Sequence, residues 1–513
     1  MELLEDRLVP AMIFVHNHAD GVSAPFVGPV APNLRSAVDF SNPGDVIELD
    51  NATYTLMGGN GGNELNVTHD LVIRNAGGGV STIDGQNQTR VFEIGGQASV
   101  TMTGLSIERG NGNGLTMGGG IVVDAGASLT LTGDQVRFNS PNTGAFVQGG
   151  GIYNAGKLTV INTTISSNGA EGEFNNEAEG PGAAEGAGIY SIGMLTLSNS
   201  VLADNYAAGG THLVGRGGVV SDPARGGGVF VGAAAGPVAA VITATSFLGN
   251  EANGGDAGGG GLYQASNTGS ITITASTFHG NTAQGQENSV GVETISGSAS
   301  GGALYQNSGA GSLSLFNSTV ANNVAAGGSR GFPGGRGGNA IGGGVFLGGS
   351  GPDLLVNDTI AQNAVVPGGP GEVSLAGGLF TTALQAGSGP KVWNTLIAEN
   401  FAASDPDVGG ALLSLGHNLV GNTAGSVGFN AARPDLLNIP ASQIGLDNIA
   451  NNGGPTATMR LEPFSIAVNH GDSSVVAWLK TDQRGLPRLS GAAVDIGAFE
   501  LQVPVRRGRG FGP

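Results

Sequence analysis

A glycine-led unit returns along most of this chain. Its clearest copy is Gly149–Asn168, GGGIYNAGKLTVINTTISSN, and it recurs at Gly186–Asn205, Gly226–Asn250, Gly259–Asn281, Gly301–Asn323, Gly342–Asn363 and Ala376–Asn400. Weaker copies stand at Gly118–Asn139 and Val91–Gly110. Self-similarity at a fixed period restricts a chain to repeat architectures, in which one unit cannot bury its apolar face alone and stacked units can. The copies span 20 to 25 residues. That length suits one turn of a three-sided coil made of short strands and bends.

Aligning the copies on the closing Asn exposes the core. Three residues before it stand Val136, Ile165, Leu202, Phe247, Phe278, Val320, Ile360 and Ile397. Eight before it stand Leu131, Val160, Leu197, Ile242, Ile273, Leu315, Leu355 and Val392. Every one is apolar, so both positions read as inward ladders. Six before it a second asparagine recurs, as Asn162, Asn199, Asn317, Asn357 and Asn394. At the strand spacing of about 4.8 Å such side chains can pass amide hydrogen bonds up a stack, so this row is expected to be a structural Asn ladder. The fold class is therefore all-β, a solenoid over residues 33–400.

Segments of variable length separate the copies at 169–185, 206–225, 251–258, 282–300, 324–341 and 364–375. All enter at one phase of the repeat and must emerge along one edge. Their glycine content, as in GGSRGFPGGRGG at Gly327–Gly338, predicts loose packing. Upstream, NLRSAVDFSNPGDVIEL at Asn33–Leu49 predicts a short helix with Leu34, Ala37, Val38 and Phe40 on one face, ended by Pro43-Gly44. Such a helix would cap the open edge of the first coil. Residues 1–32, with Pro25, Pro29 and Pro32, read as a targeting-like segment and linker. Residues 401–502 read as a segment ending the stack, and 503–513 as a basic tail carrying Arg506, Arg507 and Arg509.

The net charge is −19 and the lysines are only Lys157, Lys391 and Lys480, which argues against a nucleic-acid partner. There are no cysteines, which excludes disulfides and thiolate metal sites. No apolar run reaches the ~18 residues of a membrane-spanning helix.

The repeat units resemble those of bacterial right-handed parallel β-helix proteins of the polymorphic outer-membrane-protein type. SLGHNLV (Ser414–Val420), NNGGPTATM (Asn451–Met459), TDQRGLPR (Thr481–Arg488) and DIGAFE (Asp495–Glu500) resemble, in that order, the choice-of-anchor Q domain of bacterial surface proteins. Glu5–Ala11, EDRLVPA, is similar to a segment at the start of many large bacterial surface proteins. The resemblance implies a right-handed β-helix that is exported, extracellular or cell-surface and outer-membrane-associated. It implies a structural, adhesive or glycan-binding role on a polysaccharide or protein, by a monomer, with no evident catalytic site and no required cofactor.

Parallel β-helices also host polysaccharide lyases and glycoside hydrolases, so that chemistry is the alternative. Hydrolysis needs two carboxyl groups about 5–9.5 Å apart. Asp204 and Glu399 share one phase but lie roughly 24 Å apart at about 4.8 Å per coil, and Asp353 and Asp358 are isolated in their rows. A catalytic site would have to be assembled on the insert edge. Glu171, Glu173, Glu177 and Glu179, with Glu185, crowd one insert and are the candidate Ca²⁺ ligands, since that ion takes six to eight oxygens. The weaker Ca²⁺ candidate is Gly58–Asn66, a single nonapeptide-like copy. The aromatic row Tyr153, Tyr190, Phe230, Tyr263, Tyr305, Phe346 and Phe380 is a sugar-stacking track if it faces water, with the four tyrosines as ligand-binding residues. It is a packing ladder if it is covered.

Overall fold

The computed structural model describes residues 10–57, 64–112, 114–175, 182–214, 218–232, 239–266, 269–287, 296–330, 335–349 and 351–502. It is a parallel β-helix. One coil shows the plan: Lys157–Ile161 lies on a first face, Thr164–Ser166 on a second, and Ile189–Ser191 on a third. Among the described residues these faces hold 14, 13 and 12 strands. Successive coils pair in parallel and in register, as in Leu158 beside Leu195 and Val160 beside Leu197.

The register follows from alternation. A one-residue slip would send every apolar side chain outward. The two expected ladders, from Leu131 to Val392 on the first face and from Val136 to Ile397 on the second, are fully buried. A third ladder, Ile152, Ile189, Val229, Leu262, Leu304, Val345 and Leu379, closes the core. The helix is present as α1, Leu34–Phe40. Asn33 caps it by accepting a hydrogen bond from the Ser36 amide, and it packs against Leu65–Val67 over the open coil.

The stretch upstream of that helix is not a linker. Met12–Val15 pairs with Val46–Leu49 and with Val30–Ala31, so the first sheet begins within residues expected to be unstructured. The apolar run MIFV was the overlooked signal, with Ile13 and Val15 buried.

The asparagine ladder also stands elsewhere than expected. It is the closing asparagines that stack: Asn139, Asn168, Asn205, Asn250, Asn281, Asn323, Asn363 and Asn400. Each donates from its side-chain amide, and from its backbone amide, to the Oδ1 of the next at 2.8–3.2 Å. The run ends on Asp407, whose Oδ1 accepts both donors of Asn400. An acceptor-only group fits there, because every donor in the ladder points toward it. The row Asn162, Asn199, Asn317, Asn357 and Asn394 instead occupies left-handed turns at φ 48–56°. Asn162 and Asn199 are exposed. Only the amides of Asn357 and Asn394, 3.2 Å apart, touch as ladder neighbours. Asparagine suits the row because it tolerates positive φ.

The described limbs of the inserts are strands rather than loosely packed loops. Their outgoing limbs form a six-stranded parallel sheet from Gly169–Glu171 to Ala364–Val366, and their returning limbs a seven-stranded one from Phe146–Gln148 to Ser374–Leu375. Together they make a thin fin between the second and third faces. Its interior is alanine: Ala170, Ala207, Ala252, Ala283 and Ala325 face Ala184, Ala224, Ala257, Ala299 and Ala340. Farther out the limbs touch backbone to backbone. Gly210, Asp222, Gly255, Gln286, Gly297, Gly328, Gly338 and Gly368 form a zigzag of N–H···O bonds of 2.6–2.9 Å that mostly alternates between outgoing and returning limbs. A Cβ on Gly338 would stand 1.8 Å from the Gly297 carbonyl oxygen. Gly338→Ala should therefore part the limbs. Amide hydrogen exchange should quicken at Gly328, Gly338 and Gly368, while the solenoid's melting midpoint stays where it was.

After Leu436–Leu437, the last strand of the second face, the chain turns back. Residues 438–502 run along the outside of the solenoid rather than only ending it. Thr456 reaches Ala275, Gln483 reaches Ser276 and Thr277, and Ala498 reaches Thr359.

Candidate functional site

The fin turns a convex coil into one with two concave flanks. On the third-face flank the aromatic row stands outward, because its neighbours Ile152 to Leu379 point inward. The rings stack on one another. Tyr153, Tyr190, Phe230, Tyr263, Tyr305 and Phe346 follow with centroids 4.7–5.3 Å apart and planes within 11°. Phe380 continues the row at 5.3 Å. Tyr190, Phe230 and Tyr263 are buried. Their faces are filled by each other, and the returning limb lies against them, with Gly258 allowing close approach to Tyr263. Of the two readings of the row, the stacking favours the packing ladder, and Tyr153, Tyr190, Tyr263 and Tyr305 do not offer their faces as a sugar track. Only ring edges and hydroxyls remain for a ligand. Burial holds the phenols of Tyr190, Tyr263 and Tyr305 protonated, so they serve as neutral hydrogen-bonding groups.

Where the returning limb meets this row lies an open cleft of about 240 Å³, lined by Arg225, Asp256, Tyr263, Tyr305, Ser298 and Asn307 among others. Arg225 is its one cation. The guanidinium lies 5.7 Å from the Tyr263 ring centroid and 3.0 Å from Glu185 Oε1. Nearby, Asp222 accepts from or pairs with His212 at 3.0 Å. The cleft can therefore hydrogen-bond a hydroxyl-rich or amide-rich ligand. Asp256, in its lining, is exposed, and Glu185, which pairs with Arg225, stands beside the cleft.

The other expected site residues are scattered. Glu171 and Glu173 are exposed at the outgoing limb, while Glu177 and Glu179 lie outside the described residues. Among the described residues no three His, Asp or Glu side chains gather as a metal ion requires. The nonapeptide-like stretch lies largely outside the described residues, as do residues 1–9 and the tail from 503 on. His16 Nδ1 is 2.9 Å from Asp50 Oδ2, and His18 packs edge-on to Tyr54. Asp204 and Glu399 sit on one row as expected. Asp358 belongs to a row that accepts backbone amides, taking one from Ser318 at 2.9 Å, and burial raises its carboxyl well above the usual range. Asp353 does the same for Leu313 at 2.7 Å.

The C-terminal motifs build a buried lock. Asp482 Oδ2 accepts from both Nε and Nη2 of Arg484, and Arg484 stacks 3.7 Å from the Phe499 ring centroid. Arg488 is fully buried and donates to Gly497 O, Ala498 O and Asn317 Oδ1, the last belonging to the solenoid. Gln483 ties Thr277 and Thr319 of two adjacent coils to Thr456. These residues fasten one segment to another. What the sequence reading missed is the fin, whose signal was an alanine two residues after the closing Asn at Ala170, Ala207, Ala252, Ala283 and Ala325.

No family model matches the chain, and no curated relative matches it. Among solved structures, the crystal structure of pectate lyase Pel9A is similar over 96% of this chain and 97% of that one, at 12% identity and a TM-score of 0.39. A likeness of that degree says nothing about this chain's activity.

Proposed function

We propose that this chain is an exported, extracellular or cell-surface β-helix that binds a polysaccharide or protein along its fin without transforming it. The observation that carries the reading is the Arg225 cleft. It offers hydrogen-bonding groups along an ordered wall, while Asp256 is the one carboxylate among its lining residues and Glu185 beside it is paired with Arg225, so no two carboxyls face each other there as an acid and a base. The coil would be right-handed, as β-crossover connections are. The back-folded segment with the SLGHNLV, TDQRGLPR and DIGAFE motifs would be its counterpart of the choice-of-anchor Q domain. The chain would act as a monomer, with Ca²⁺ as an accessory at most.

The test is incubation with acidic and neutral polysaccharides, with and without Ca²⁺, followed by assays for new reducing ends and unsaturated products. Retention of a polymer without product is the expected result. Release of either product would establish the lyase or hydrolase alternative, and a Ca²⁺ requirement would restore the acidic insert as a metal site.

A further inference from the structure

We propose that the second-face flank of the fin carries a binding slot for an uncharged polysaccharide, with a sugar ring seated on the exposed phenyl ring of Phe138. This rests on the reading of the chain as a binding protein, and it names the ligand class and the place.

Two side-chain rows define the slot. Residues just before the closing Asn form the first: Phe138, Ser167, Asp204 and Gly249. Residues just after it form the second: Ser140, Gly169, Tyr206 and Glu251, held in line by the pairing of Gly169 with Tyr206 and of Tyr206 with Glu251. In both rows the middle coil carries a small residue, Ser167 or Gly169. Phe138 and Ser140 therefore face Asp204 and Tyr206 across one nearly empty coil, roughly 10 Å from backbone to backbone. The opening measures about 390 Å³. Gly169 forms its floor, where an added Cβ would stand 3.4 Å from Ser140 Oγ and 3.8 Å from Glu171 Oε1.

The fold does not ask for a phenylalanine at this wall. The first row is left-handed throughout, with Ser167 at φ 53°, Asp204 at 53°, Gly249 at 59° and Gly280 at 67°. Phe138 adopts φ 57° and is 51% exposed. Glycine serves that backbone better, and a half-exposed ring contributes only part of its burial. An aromatic there presents apolar surface beside polar groups, the combination that grips a ring with apolar faces and a hydroxylated rim.

Charge sets the ligand class. Glu171 and Asp204 are exposed carboxylates at the slot. Two arginines stand beside Phe138, each turned to a carboxylate: Arg137, 5.6 Å from its ring centroid, pairs with Glu108 at 3.2 Å, and Arg109, one coil back in the same row, pairs with Asp84. Carboxylates accept strong hydrogen bonds from hydroxyls and repel an acidic polymer. Burial, with the charges of Glu251 and Glu171, keeps the Tyr206 phenol protonated and able to donate.

The experiment uses the full chain against a β-glucan, a mannan and polygalacturonate, read by affinity electrophoresis and calorimetry. A neutral polymer should bind and polygalacturonate should not. Phe138→Gly should weaken binding at least tenfold without lowering the melting midpoint, and Gly169→Thr should do the same by filling the floor. Leu384→Ala, at an exposed turn several coils away and in neither cleft, should leave this binding unchanged. If neutral polymer binds equally well to Phe138→Gly and Gly169→Thr, the slot is wrong and the binding reading stands. Preference for polygalacturonate overturns the ligand class. If none of the polymers binds, the slot falls together with the polysaccharide form of the proposed function.

Discussion

Arg488→Ala should release the C-terminal segment from the solenoid. The guanidinium is fully buried, and its partners come from both bodies: Asn317 on the solenoid, and Gly497 and Ala498 in the segment. Glu500 stands 3.9 Å away, and its carboxyl is pushed up to about 8, chiefly by burial and then by the charge of Asp495. Asp482, Asp495 and Asp358 also act on the arginine. Removing one partner of such a cluster leaves buried charge uncompensated and typically costs about 3–5 kcal/mol. Hydrogen exchange should therefore become fast across residues 438–502, and proteases should cut there, while the inner ladders stay protected. Arg488→Met separates charge from volume. It should behave like the alanine variant. A methionine variant as protected as the parent would show that packing, and not the guanidinium, holds the segment down.

Asn281→Ala should open the middle of the solenoid. Asn281 Oδ1 accepts from the backbone amide and the side-chain amide of Asn250, at 3.1 and 2.9 Å. Its own amide donates to Phe247 O and to Asn323 Oδ1, each at 2.9 Å. Alanine would leave the Asn250 backbone amide without its acceptor and cut one further bond each from the Asn250 side-chain amide, Phe247 O and Asn323 Oδ1, in a site without solvent; the Asn250 side chain would keep Leu202 O and Asn323 Oδ1 the Asn281 backbone amide. Each unpaired buried group costs about 1–3 kcal/mol, and the penalties overlap, so a loss of about 3 kcal/mol is expected. Aspartate should be no rescue, because it accepts from Asn250 but cannot donate to Asn323. At the end of the ladder the same logic runs in reverse. Asp407 has only donors to satisfy, so Asp407→Asn should cost far less than Asn281→Asp. Equal melting midpoints for those two variants would mean that the ladder's direction does not matter.

Much of this fold is legible because a stack repeats its own constraints. Leu158 and Val160 on one coil predict Leu195 and Leu197 on the next, and alternation places them inside. The row of Asn162, Asn199, Asn317, Asn357 and Asn394 was visible too, but recurrence does not say which way a side chain points. The backbone turns left-handed at that row, and so the hydrogen-bonding ladder falls six residues on, at the closing asparagines. The aromatic row posed a similar choice. Tyr153 to Phe380 recur on every coil whether they meet a sugar or each other, and only the measured stacking distances decide it. Phe138 escaped notice for the opposite reason: a residue that breaks its row leaves no period to find.

The chain's own sequence determined the coil, two of its three buried ladders and the helix that covers the first rung, because each rests on contacts between residues about one repeat apart. It also fixed where inserts leave the coil. Two things were decided only in three dimensions. The glycine- and alanine-rich inserts have too little apolar surface to order themselves, and they become a fin because each limb finds hydrogen-bonding partners in the neighbouring coils. The C-terminal segment joins residues far apart in the chain, as in the 207 residues separating Gln483 from Ser276. No local pattern encodes such a pairing. It forms because the assembled second face offers Thr277, Thr319 and Thr359 in one line, matched to Gln483 and Ala498.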